Sequence, residues 1–181
     1  METGDRLDRI AAALVRRGVN FVVIGAWAAE LQGFDLGYKT DEIDVTPDFS
    51  TANLERLSEA LYDLGAMIRT GDEELPFNHD GDSLGRASVW NLTCDEGDFD
   101  LTFRPPGIGG YRELLASCNI MSVEVDGERI NVPCAHPADI WLSKKAVDRP
   151  KDREALPILY AQLGASARDR IEDPRRPRGA G

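Results

Sequence analysis

The sequence predicts a mixed α/β (α+β) domain: a twisted sheet with flanking helices, and a small helical part toward the C-terminus. Three observations predict it. Helix-period and strand-period stretches alternate along the first seventy residues, so both element types share one core. Strand-like segments then follow one another from Ala87 to Pro133, joined by turns at Asp95–Gly97 and Asp126–Gly127. Two helical stretches, 137–147 and 151–163, come last, separated by the break at Asp148–Pro150. The 181 residues suffice for one ordinary domain with a core, and 42% hydrophobic content is that of a soluble globular protein. Residues 1–135 are expected to form the α/β core, 136–164 a helical pair packed on it, and 165–181 a disordered basic tail.

Each element has a local reason. Residues 5–17 put Leu7, Ile10, Ala11 and Leu14 on one helical face, and Gly18 ends the helix. Asn20–Ile24 is short and almost wholly apolar, as in a strand buried on both faces. Gly25 opens a short helix over 26–31 that Gly33 closes, and a strand follows at Glu42–Thr46. Ser50 and Thr51 cap a helix with Leu54, Leu57, Leu61 and Leu64 as its buried stripe. A strand near 66–69 leads into residues 71–85, which carry five acids and no base and are read as a mobile loop. Strands are expected at 87–94 and 98–104, a helix at 111–117, and a hairpin of strands at 120–125 and 130–133. The end, DPRRPRGAG, is too rich in proline, glycine and arginine to pack.

Composition removes several function classes. No apolar run approaches the roughly 18 residues of a membrane span, and METGDRLDRI has no apolar signal core, so a cytoplasmic location is expected. Cys94, Cys118 and Cys134 are too scattered for a zinc knuckle and too few for a disulfide framework. His79 and His136 cannot build a histidine-rich metal site, so any metal is oxygen-bound, which favours Mg²⁺ or Mn²⁺. A net charge of −11 disfavours nonspecific nucleic-acid binding over the whole surface. Residues 144–153 nevertheless carry five bases against two acids, where a polyanion would dock.

The chemistry concentrates in Phe21–Val45. Glu42 and Asp44 are two apart on a strand and therefore share a face, with Ile43 pointing the other way. Two adjacent acids repel, and a divalent cation is the usual compensation. In GDFDLTF, Asp98 and Asp100 alternate with Phe99 and Leu101. If that strand lies beside Glu42–Thr46, Asp100 joins Glu42 and Asp44 as metal ligands, and two ions about 4 Å apart would clamp an in-line displacement at phosphorus. Gly25 and Ala26 bring backbone N–H groups toward the phosphates, and Lys144 is a candidate point charge for a triphosphate. Lys144 and Lys145 point about 100° apart, so only one can face the site, and the phase of Ile140, Lys144 and Val147 favours Lys144. Arg149 and Lys151 read as solvated helix-end charges, His136 as a helix-start cap, His79 as inert, and Trp27, Trp90 and Trp141 as core.

These residues resemble the nucleotidyltransferase superfamily of the polymerase-β type, and within it the AbiEii-like branch that includes type IV toxin–antitoxin enzymes. VVIGAWAAELQG stands for the family's turn and helix, EIDV for the paired carboxylates, DFDLTF for the third, and HPADIWLSKKAVDRPKDREAL for the closing helices. The resemblance implies transfer of a nucleoside monophosphate from an NTP to a hydroxyl. It implies Glu42, Asp44 and Asp100 as metal ligands, Gly25 and Ala26 at the phosphates, and Lys144 at the triphosphate. A tRNA 3′ end or other RNA is the acceptor expected for a toxin-like member, with a cognate antitoxin as partner. A small molecule of the aminoglycoside type, or a catalytically degenerate binding protein of this fold, are the alternatives. Three departures stand out. Glu42 replaces the usual Asp and moves the carboxylate by about 1.5 Å, Ala26 replaces the second glycine or serine, and Tyr38 stands where relatives often carry an arginine.

Overall fold

The structure, a computed structural model, describes residues 3–173, with side chains from Arg6 onward. Helix α1 (Thr3–Arg16) leads to β1 (Phe21–Ile24), α2 (Gly25–Leu31), β2 (Glu42–Pro47), α3 (Thr51–Asp63) and β3 (Met67–Arg69). There follow β4 (Glu74–Pro76), α4 (Gly81–Leu84), β5 (Val89–Cys94), β6 (Gly97–Thr102) and α5 (Tyr111–Leu115). The chain continues through β7 (Asn119–Val125), β8 (Glu128–Cys134), α6 (Pro137–Val147), α7 (Pro150–Gln162) and α8 (Ala165–Glu172).

All eight strands form one mixed sheet in the order β4-β3-β5-β6-β2-β1-β8-β7. β1 lies near the middle, and all four of its residues are buried, as its unbroken apolar sequence requires. β2 runs antiparallel to β1 and parallel to β6, which places Glu42 beside Asp98 and Asp44 beside Asp100. On the other face of these strands Ile43, Val45, Phe99 and Leu101 are fully buried. Each contributes roughly 1.5–3 kcal/mol of hydrophobic stabilisation, and together they fix which face the acids must take. Helices α2 and α6 pack together over the end of β2, and α7 packs against α6.

Two expectations are corrected. The acidic stretch 71–85 contains β4, antiparallel to β3, and α4, whose N-cap Asp80 accepts a 2.7 Å hydrogen bond from the Ser83 N–H. Its acids cap a helix and border a strand, which a count of charges does not reveal. Residues 165–172, read as part of a disordered tail, form α8, with Ala167 buried and the guanidinium of Arg170 2.8 Å from the buried Asp139 carboxylate. That buried carboxylate needs a counter-ion, and α8 supplies one. Residues 174–181 of the expected tail lie outside the described residues.

Candidate active site

Six residues singled out by sequence line one cavity of about 180 Å³: Gly25, Ala26, Glu42, Asp44, Asp100 and Lys144. Tyr38, Pro105, Pro106, Ser143, Arg149 and Lys151 complete much of its wall. Asp98 stays outside the lining, at the rim beside Glu42.

Gly25 takes φ +73°, a conformation that favours glycine, and a Cβ built there would lie 2.1 Å from Asp44 Oδ2. The glycine therefore makes room for the acid as well as the turn. Asp44 accepts no hydrogen bond and forms no ion pair among the described residues. Desolvation in the cavity, reinforced by the charges of Glu42 and Asp100, pushes its carboxyl up from 3.8 to about 7, although Lys144 and Arg149 pull the other way.

The other acids are already paired. Arg69, from the end of β3, places Nη2 2.8 Å from Asp100 Oδ1 and 3.7 Å from Glu42 Oε2, and Nη1 3.3 Å from Asp98 Oδ2. Lys151 Nζ lies 3.6 Å from Glu42 Oε1. Sequence reasoning missed Arg69, since nothing local distinguishes it from any strand-end arginine, and it read Lys151 and Arg149 as solvent-facing.

Lys144 faces the cavity wall and is buried, whereas Lys145 Nζ lies 5.1 Å from the centre of the Trp141 ring. The Lys144 ammonium donates to Tyr38 Oη at 2.9 Å and to Asp152 Oδ1 at 3.3 Å. Asp152 is fully buried and also accepts from Arg149 Nε at 2.8 Å. Burial opposes its charge, but the Arg149 hydrogen bond and Lys144 outweigh burial and hold its carboxyl below the ordinary range. His136 caps α6 through Nδ1, as expected, and His79 is buried with its Nδ1 2.8 Å from Ser58 Oγ.

Four of the five bases in the run 144–153 are ion-paired, two of them with the same acid. Lys144 and Arg149 meet Asp152, Lys151 meets Glu42, and Arg153 meets Asp148 at 2.8 Å. The acidic stretch 71–85 lines no part of the cavity.

As placed, no three His, Cys, Asp or Glu side chains among the described residues are arranged to hold a metal ion. The donor chemistry nonetheless fits a hard divalent cation. Three carboxylates from two adjacent parallel strands line the cavity, Asp44 makes no hydrogen bond or ion pair among the described residues, and Gly25 leaves space against it.

No family model and no curated protein sequence matches the chain. Solved structures do. A solution structure of the antibiotic-resistance factor ANT(2'')-Ia matches with TM-score 0.58 and 18% identity, over 96% of this chain and 90% of that one. The chain has a nucleotidyltransferase fold. A crystal structure of ANT(2'')-Ia in complex with adenylyl-2''-tobramycin matches with TM-score 0.54 and 19% identity, over 96% of both chains. The lincomycin-bound lincosamide antibiotic adenylyltransferase LnuA matches with TM-score 0.54 and 14% identity, over 87% of this chain and 96% of that one. Among the described residues no helix is long and apolar enough to cross a membrane.

Proposed function

We propose that this protein transfers a nucleoside monophosphate from an NTP to a hydroxyl of a small, antibiotic-type molecule. The observation that carries the transfer chemistry is the register of β2 on β6: Asp44 beside Asp100, with Glu42 on the same face, opposite the Gly25 turn. Glu42, Asp44 and Asp100 would hold Mg²⁺ or Mn²⁺. Bound there, the cation polarises phosphate oxygens and neutralises the departing pyrophosphate.

The chain's own groups do the rest. The acceptor oxygen forms a bond to the α-phosphorus, and the bond from that phosphorus to the bridging oxygen breaks, so pyrophosphate leaves with the electron pair. The hydroxyl proton passes to the Asp100 carboxylate. Lys144, fixed by Tyr38 and Asp152, presents positive charge to the phosphates, with Arg149 and Lys151 beside it on the wall. Gly25 and Ala26 keep that wall free of bulk.

Two observations favour a small acceptor over RNA. Four of the five bases in 144–153 already meet carboxylates, which leaves little unpaired positive charge beyond the cavity for a long polyanion. Among the fold neighbours, moreover, LnuA is a lincosamide antibiotic adenylyltransferase and ANT(2'')-Ia holds adenylyl-2''-tobramycin. A second reading, nucleotide binding without turnover, draws support from Arg69 lying among the acids.

The test is incubation with labelled NTPs and Mg²⁺ against aminoglycosides, lincosamides and, in parallel, tRNA. Label should appear on an antibiotic, be lost in Asp44→Ala, and fall at least about 100-fold in Gly25→Ala, whose added methyl displaces Asp44. Label on tRNA alone would establish the RNA acceptor instead. Tight Mg²⁺–NTP binding by calorimetry with no transfer to any acceptor would establish the silent reading.

A further inference from the structure

Arg69 stands in an unusual position. It is the last residue of the three-residue strand β3, second from the edge of the sheet. The register of β3 on β5 pairs Met67 with Thr93 and Ile68 with Leu92, and that of β5 on β6 pairs Asn91 with Asp100. The next position of β3 thus faces Asn91, with Asp100 one strand further on. Two strand spacings are about 9.5 Å, a gap that the long side chain of arginine is suited to cross. The guanidinium crosses over β5 and ends among Glu42, Asp98 and Asp100, with the distances given above.

The contact is not a complete structural pairing. Nε of Arg69 is buried without a partner, so the fork is held only through its two outer nitrogens. The carboxylates it touches are partly open to solvent, with side-chain exposures of 18% at Asp100, 23% at Glu42 and 40% at Asp98. The arginine is itself 30% exposed and anchored on a short strand that leads into the Thr70–Glu73 turn. Such a side chain can swing outward without disturbing the core. Asp44, the innermost acid, is left to face the cavity with no partner of its own.

We infer that Arg69 is a positioning residue that acts as the resident counter-ion of the acid cluster. A divalent cation then enters only by displacing its guanidinium from Asp100 and Glu42. This inference rests on the proposed role of Glu42, Asp44 and Asp100 as cation ligands. Before loading, Arg69 holds two like-charged strands in register. During loading it competes with the ion for the same oxygens, and so it sets the cation affinity of the site.

The test uses the full chain and Mn²⁺ alone, without nucleotide, followed by calorimetry and by Mn²⁺ paramagnetic resonance. Arg69→Gln should bind Mn²⁺ at least about tenfold more tightly than wild type, and Arg69→Lys should fall between them, since lysine keeps the charge but loses the fork. In EDTA, Arg69→Gln should melt below wild type, and Mn²⁺ should close that gap. A second measurement needs no variant: the Arg69 Nε–Hε resonance of wild type should shift as Mg²⁺ is titrated in. Unchanged or weaker Mn²⁺ binding by Arg69→Gln overturns the inference. So does an Arg69 resonance that stays fixed while Mg²⁺ binds. If neither protein binds Mn²⁺ at millimolar concentration, the cation-ligand reading falls and this inference with it. Tighter binding by the variant with no nucleotide transfer by wild type leaves Arg69's role standing and removes only the transferase reading.

Discussion

Asp44 bears an electrostatic penalty that its neighbours Lys144 and Arg149 do not fully relieve. Its carboxyl is raised from 3.8 to about 7, so the folded state binds this proton more tightly than the unfolded chain does. The associated stability is fully present below about pH 4 and is lost as pH rises through 7. One pKa unit corresponds to about 1.4 kcal/mol, so the ionised acid costs on the order of 4 kcal/mol at pH 8. Asp44→Asn should therefore stabilise the EDTA-treated protein at pH 8 by about that amount and by clearly less at pH 5, which lies between the unfolded and folded values of the carboxyl. Urea denaturation at the two pH values reads the difference; equal effects at both would contradict it. The same substitution should abolish transfer, so stability and function pull apart at one residue. Glu42 shows the matching compromise. Its side chain reaches between Lys151 and Arg69, so its charge is compensated by two cations.

At the level of elements, the C-terminal helices are tied to the sheet through one buried carboxylate. Asp152 lies in the first turn of α7, takes Lys144 from α6, and through Lys144 reaches Tyr38 in the loop before β2. Removing one partner of a buried ion pair leaves an uncompensated charge, which costs about 3–5 kcal/mol. Asp152→Ala should lose about that much stability in a denaturant titration and should also loosen Lys144 from the cavity wall. A loss below about 1 kcal/mol would show that the pair is not buried in solution. The alternation in EIDV and DFDL placed Glu42, Asp44 and Asp100 on a strand face, because side-chain direction has period two. The pairing of Lys144 with Asp152, eight residues on, and the cover over the acidic stretch at β4 depend on neighbours that periodicity does not name.

Across the whole molecule, acidification acts through opposing groups. Burial lowers His79 from its ordinary 6.5 against a small opposing effect of Asp80; burial and then Arg170 lower His136, against Asp139. Both therefore contribute stability that is present above pH 6.5 and is lost as pH falls through their depressed values. Asp44 works in the reverse direction over the same range. In the Asp44→Asn background the opposing contribution is gone, so the melting temperature should fall more steeply between pH 7 and pH 5 than in wild type. Parallel melting curves for the two proteins across that range would refute the assignment.

Most strand and helix identities, the buried faces and the acids' shared orientation were legible in the chain, because each follows from spacing within a few residues, whereas β4, α4 and α8 were not. The meeting of those acids was expected only on condition that their strands adjoin, or as the family resemblance implied. It needed β6 to lie parallel beside β2 and an arginine 31 positions from Asp100 to cross a strand toward it. Hydrophobic burial is nondirectional and drives the strands together without naming their neighbours. Which strand lies beside which, and which cation stands among the carboxylates, was settled by packing of the folded sheet.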